Sequence, residues 1–192
     1  MGRRAPGHVF MAAKWVFPGG RVERADFTAA SGTEMSDETA QLLVREMPSR
    51  RARALALAAV RETFEETGLI LGTQAPTASV AGPWREFRAA GALPDLSALS
   101  YIARAITPPR RSRRFDARFF MASSDALLHS EPTAGSGELD EIAWLSLDQM
   151  QDLDLPAITR FVLGEVAARA EQADRPLPFV RQLHGRHIVQ RL

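Results

Sequence analysis

The chain is 192 residues long, with 45% apolar and 24% charged residues. That is the composition of an ordinary globular protein with enough length to bury one core, so a single domain over 1–192 is expected. A formal net charge of +1 and the absence of cysteine argue against a nucleic-acid coat or polybasic membrane binder, and exclude disulfides, thiolate metal sites and a cysteine nucleophile. No apolar run approaches the roughly 20 residues of a spanning helix. Met1-Gly2-Arg3-Arg4 leads into small and polar residues, so no signal peptide is expected. A cytoplasmic protein without a membrane partner is the reading, and the last three residues are not taken as a peroxisomal address.

Residues 1 to 13 are weakly patterned. Lys14-Trp15-Val16-Phe17 is short, aromatic and β-branched, and Pro18-Gly19-Gly20 breaks it. This reads as a strand entering a tight turn, whose glycines let the backbone approach a ligand closely. Ser36 ahead of Asp37-Glu38 suits an N-cap and an acidic first turn, which predicts a helix over 37–47. Pro48 interrupts, and Ser49 is placed to cap a long helix from about 50 to 67. Leu57, Val60 and Phe64 form its apolar stripe. Arg45, Arg50, Arg51 and Arg53 read as solvated surface, with contact to substrate phosphates as the lesser alternative.

The end of that helix carries Arg61-Glu62-Thr63-Phe64-Glu65-Glu66-Thr67-Gly68-Leu69. Glu62, Glu65 and Glu66 stand at i, i+3 and i+4, so three carboxylates share one face. Such a face repels itself unless something positive sits within it, and adjacent Arg61 is expected to neutralise one of the three. Hard divalent cations take oxygen ligands, typically one or two carboxylates plus phosphate oxygens, so the face reads as a platform for Mg²⁺ or Mn²⁺. An isolated E-x-x-E-E is more often plain solvated surface. The Gly-Gly turn upstream and Gly68, cheap in the left-handed conformation of a C-cap, shift that weighting.

Together these residues resemble the Nudix box: a Gly, five residues, a Glu, seven residues, then R-E-U-x-E-E-x-G-U with U apolar. Gly20 takes the place of the first Gly and Asp26 that of the first Glu. Arg61, Glu62, Glu65, Glu66 and Gly68 match, Leu69 fits the last apolar position, and Thr63 stands at the other. Between Asp26 and Arg61 lie residues 27 to 60, far more than the common seven. Such an insertion, placed at about 27–50 and helical, is similar to that of the Nudix subgroup containing acyl-CoA diphosphatases, as is the tract Arg114-Phe115-Asp116-Ala117-Arg118-Phe119-Phe120. The two halves of the box must still meet at one phosphate site. Asp26 is therefore expected near the start of the long helix, with the inserted helix packed outside.

Farther on, Leu69-Ile70-Leu71 reads as a strand end before a loop to about 82. Residues 84–93, with Trp84 and Phe87, read as a short helix, and the resemblance implies that this region is a specificity element. Residues 95–100 read as a turn or a short helix, and Tyr101–Ile106 as a strand stopped by Pro108-Pro109. The run Arg110-Arg111-Ser112-Arg113-Arg114 is a basic loop before an alternating strand from Phe115 to Ala122. Arginine forks suit phosphate oxygens, and an exposed basic turn is the equal alternative. Ile142–Leu145 reads as a strand, Ser146 as the cap of a short helix to Met150, and 156–171 as a helix covering the sheet with Phe161, Val162, Glu165 and Val166. The tail reads as a hairpin turning at His184-Gly185. The four histidines lack metal-ligand spacing.

The resemblance implies an α/β fold, a Nudix-type α/β/α sandwich with a mixed sheet, and hydrolysis of a diphosphate joining a nucleoside to another moiety, such as CoA or acyl-CoA. It implies Mg²⁺ or Mn²⁺ on Glu62, Glu65 and Glu66, Arg61 orienting Glu62, Gly19 and Gly20 shaping the turn beside the phosphates, and a downstream carboxylate acting as base or further ligand. Glu138 is the choice, with Asp140 and Glu141 competing. Arg111, Arg113 and Arg114 are the candidates for the substrate's phosphates. The partner expected is a small nucleoside diphosphate derivative, nucleic acid is not expected, and a homodimer is left open. The alternatives are a nonenzymatic nucleotide sensor, or a hydrolase of NADH, ADP-ribose or RNA.

Overall fold

The computed structural model describes residues 1–5, 7, 13–109, 114–133, 137–183 and 186–192. The opening strand β1 (Gly2–Arg4) is short and lies between two antiparallel neighbours, β2 (Trp15–Val16) and β8 (Leu139–Ile142). β8 starts three residues before the strand predicted at 142–145. Its partner offers only three positions, paired with Leu139, Glu141 and Ile142, so Leu139 is the buried residue and Trp144 is left 57% exposed.

Helix α1 (Asp37–Val44) starts as expected, with the Ser36 hydroxyl accepting the Thr39 N–H at 3.3 Å. It ends before residue 47 because the chain tightens, the Glu46 N–H donating to Leu43 C=O at 3.0 Å. α1 is not packed outside the domain: Leu43 is fully buried with Ala52, Tyr101 and Leu177. Helix α2 (Ser49–Thr67) has Ser49 as its first helical residue rather than its cap. Pro48 holds the N-cap position, and its carbonyl accepts the N–H groups of Arg51 and Ala52 at 2.9 and 3.1 Å. Leu57 and Val60 enter a core with Leu71, Trp84, Phe87, Leu96 and Leu99, and Phe64 packs against it. Gly68 ends α2 at φ 74°, where its N–H caps the Phe64 carbonyl at 2.7 Å; a side chain would strain that backbone.

Strand β3 (Ile70–Gln74) runs on through residues read as loop and forms the centre of a sheet, flanked antiparallel by β4 (Ala92–Pro94) and β7 (Leu127–His129). Helix α3 (Arg85–Ala89) falls where a short helix was predicted. β5 (Ser100–Ile106) pairs antiparallel with β6 (Asp116–Met121) and parallel with β9 (Pro178–Leu183), which pairs antiparallel with β10 (Arg186–Arg191), giving the mixed order β10-β9-β5-β6. The proposed turn at His184-Gly185 lies outside the described residues.

β5 is covered from two sides, its register shifting between Tyr101 and Ala103. Tyr101 meets Leu43 and Ala52 of α1 and α2, while Ile102 and Ala103 meet Val162 of α5 (Ala157–Glu171). On β6, Phe119 meets Phe17 edge-on at 6.2 Å and Phe120 meets Tyr101 at 5.7 Å. The sheet is thus covered on both faces, as an α/β/α sandwich requires. Helix α4 (Leu147–Gln151) carries the Ser146–Gln149 capping box. Glu165, counted with the apolar face of α5, is indeed buried, because Arg169, Arg175 and Arg191 surround its carboxylate at 3.2, 3.4 and 3.2 Å. Among the described residues no helix is long and apolar enough to cross a membrane.

Candidate active site

The site is built where the Gly-Gly turn meets the last turns of α2. Its hub is Arg61, only 2% exposed. Its Nε donates to Asp26 Oδ1 at 3.0 Å and its Nη2 to Asp26 Oδ2 at 3.1 Å and to the Arg21 carbonyl at 2.8 Å. Its Nη1 lies 2.9 Å from Glu62 Oε1 and 2.8 Å from Glu65 Oε2. The sequence reading gave this arginine one carboxylate; it touches three and also holds the turn's backbone. It places Asp26 correspondingly late along α2, beside Arg61 rather than near the helix start, because the 3-10 turn Arg24–Phe27 packs against that part of the helix.

Asp26 is fully buried. Beyond the Arg61 fork it accepts the Glu23 N–H at 2.8 Å and the Trp84 indole N–H at 3.2 Å. A buried carboxylate is tolerable when its lone pairs are filled in this way. In the 84–93 region, expected to be a specificity element, the two large aromatics Trp84 and Phe87 are core residues, 5% and 1% exposed. Thr63, at the position where the box carries an apolar residue, satisfies its hydroxyl within the helix on the Ala59 carbonyl at 2.8 Å.

The two glycines do different jobs. A Cβ on Gly20 would collide with the Glu62 carboxylate, so glycine is what lets the turn close against α2. The Gly19 N–H donates to Glu66 Oε2 at 3.1 Å, which aims the third carboxylate at the turn. Burial pushes the carboxyls of Glu62 and Glu65 above their usual range, Arg61 opposes it, and the charge of Glu23 adds to the rise on both. Glu66, 4% exposed, is pushed up to about 7 by burial and by the charges of Glu138 and Glu62, against the Gly19 bond and Arg4. Arg61 is held above the ordinary guanidinium range: burial works against its charge, and the bond to Asp26 with the charges of Glu62, Asp26 and Glu65 outweighs it.

Glu138 is the exposed downstream carboxylate whose charge reaches Glu62 and Glu66. Its competitors are engaged elsewhere: Arg3 pairs with Asp140 and Glu141, each at 3.1 Å. Glu23 was missed in the sequence, although an acid between Gly20 and Asp26 on the same loop is a readable signal. Trp84 carried no signal, being 58 residues from Asp26.

Among the described residues no three acidic or histidine side chains converge as a preformed metal cage. Glu62 and Glu65 turn toward Arg61 and Glu66 toward Gly19. The donor set is carboxylate oxygen throughout, crowded enough to raise its own proton affinity, and Mg²⁺ needs only one or two protein carboxylates when phosphate supplies other ligands.

Arg111 and Arg113 lie outside the described residues. Arg114 is exposed, its Nε on the Thr107 carbonyl at 3.4 Å. Next to it, Phe115 sits under the Arg21 guanidinium, 5.5 Å from ring centroid to Cζ, so Phe115 adjoins the residue that follows the Gly-Gly turn.

The NUDIX domain family model matches residues 1–163. No curated protein matches the chain. Among solved structures, the chain is similar to a NUDIX hydrolase from Alicyclobacillus acidocaldarius, with 28% identity and a TM-score of 0.61 over 86% of this chain and 82% of that one. A matched domain covering most of the chain, on a fold that brings the Gly-Gly turn against Arg61 and its neighbouring glutamates, shows that the chain belongs to the Nudix family and is a Nudix-type pyrophosphohydrolase.

Proposed function

We propose that this enzyme cleaves the diphosphate of a nucleoside diphosphate linked to another moiety, with CoA or acyl-CoA as substrate, and that it does so with Mg²⁺ or Mn²⁺. Nudix hydrolases generally use such metals. The observation that carries the reading is the Arg61 fork, which ties the Gly-Gly turn and two carboxylates into one rigid unit. A mere binder has no need of so costly a charge cluster.

In this reading Glu62, Glu65 and Glu66 hold the metal. When bound, it neutralises phosphate charge and lowers the pKa of a water. The chain's own residues do the rest. Arg61 fixes Glu62 and Glu65, so their carboxylates need not be ordered when substrate arrives. Gly19 and Gly20 leave room for the phosphates beside the helix. Water oxygen bonds to one phosphorus, the bridging P–O bond breaks, and its electron pair leaves with the other phosphate. Glu138 takes the proton released by the water. Arg114, with Arg111 and Arg113, is given the substrate's remaining phosphate; for Arg114 the role is supported by the Arg21 contact of its neighbour Phe115. The 27–50 stretch acts as a structural insertion within a single domain.

The test is a panel of CoA, acyl-CoA, NADH, ADP-ribose and dinucleoside polyphosphates, each incubated with and without Mg²⁺. CoA or acyl-CoA is expected to give the highest kcat/KM. A clear preference for ADP-ribose or NADH would overturn the substrate assignment and leave the chemistry standing.

A further inference from the structure

Arg61 can aim Glu62 and Glu65 only if its own far side is held still, and that far side is Asp26. Each Asp26 oxygen has two donors: Oδ1 takes Arg61 Nε at 3.0 Å and Trp84 Nε1 at 3.2 Å, and Oδ2 takes Arg61 Nη2 at 3.1 Å and the Glu23 N–H at 2.8 Å. Three of these donors belong to the box segment or the helix it closes on. Trp84 does not. It precedes α3, on a separate stretch of chain, and is 5% exposed, its ring edge-on to Phe87 at 5.4 Å. A buried indole N–H needs a partner, and here that partner is the carboxylate anchoring the arginine of the metal face.

We infer that Trp84 is a positioning residue: through Asp26 and Arg61 its N–H sets the orientation of Glu62 and Glu65, and so the affinity of the carboxylate face for a divalent cation. The inference rests on the metal reading above. Without the Trp84 bond, Asp26 Oδ1 keeps only Arg61 Nε, and the carboxylate can rotate about its remaining bonds. The guanidinium rotates with it. Glu62 and Glu65 then lose the fixed acceptor geometry that spares them an ordering cost when an ion binds.

Trp84→Phe removes the N–H and keeps an aromatic ring, and Phe87→Leu loosens the same core without touching Asp26. Binding of Mn²⁺ alone is measured by the EPR signal of the free ion, alongside thermal melts of both variants. Trp84→Phe should weaken Mn²⁺ binding about fivefold and lower kcat on CoA more than it raises KM, as expected when an orienting hydrogen bond near the metal is removed. Phe87→Leu should lower Tm by at least as much and leave Mn²⁺ affinity unchanged. Equal Mn²⁺ affinity in Trp84→Phe and the unmutated protein overturns the role of Trp84 and leaves the metal reading intact, and so does an equal loss in both variants. An unmutated protein that binds no Mn²⁺ overturns both.

Discussion

Replacing Glu66 by Gln should abolish most turnover and at the same time stabilise the metal-free protein at neutral pH. Glu66 is almost fully buried, and its carboxyl rises from 4.5 to about 7 through burial and the charges of Glu138 and Glu62. The unfolded chain has the lower pKa, so between about 4.5 and 7 the folded state holds more protons, and stability falls as pH rises through that window. Above it the penalty is constant. A shift of roughly 2.5 units at 1.36 kcal/mol each corresponds to about 3 kcal/mol, or roughly 6–12 °C in Tm for a chain of this size. Gln removes the charge and keeps an oxygen to accept the Gly19 N–H. Melts in EDTA at pH 5 should therefore nearly coincide for the two proteins and should separate progressively toward pH 8, with the variant higher. Turnover at saturating Mg²⁺ should drop about a hundredfold or more, the scale of losing a charge that acts in the transition state. Parallel melting curves at every pH would refute the burial argument, and full activity at saturating Mg²⁺ would remove Glu66 from the metal face.

Gly20→Ala drives a methyl group into the Glu62 carboxylate; kcat should fall about tenfold or more, the scale of a misplaced catalytic group, with near-UV CD unchanged, and a fully active variant would deny the close approach. Asp26→Ala leaves a buried arginine short of its strongest partner and should cost about 3–5 kcal/mol, read as a Tm loss of roughly 10 °C; a loss under about 2 °C would show the pair to be dispensable. CoA should outperform dephospho-CoA, which lacks only the 3′-phosphate, by about tenfold in kcat/KM, the worth of one sheltered charged hydrogen bond. The double variant Arg113→Ala/Arg114→Ala should erase that difference, and equal rates on the two substrates in the unmutated protein would refute the arginine role.

What was legible in the sequence was what local geometry decides. The i, i+3, i+4 spacing of Glu62, Glu65 and Glu66, the Ser36 cap and the Gly68 stop are properties of a helix and its ends, and each falls where it was read. The meeting of Gly20 with Glu62 was foreseen because the box demands it. The degree of connection at Arg61 was not, because it depends on where the 24–27 turn lands in space. β4 and β7 span three residues each, too short to show a period. β8 was misplaced because Ile142–Leu145 is the more apolar run, whereas pairing with β1 selects Leu139. Trp84 was read only as an aromatic of a short helix. Only the fold reveals that its N–H ends on Asp26.

The most direct measurement is ³¹P NMR of CoA incubated with the protein in Mg²⁺, beside the same mixture in EDTA. With Mg²⁺ the diphosphate resonances should disappear as two phosphomonoester signals grow in equal amounts, and in EDTA they should persist. Persistence of the diphosphate in Mg²⁺ and in Mn²⁺, for CoA and for every other member of the substrate panel, would contradict metal-dependent hydrolysis at this carboxylate face.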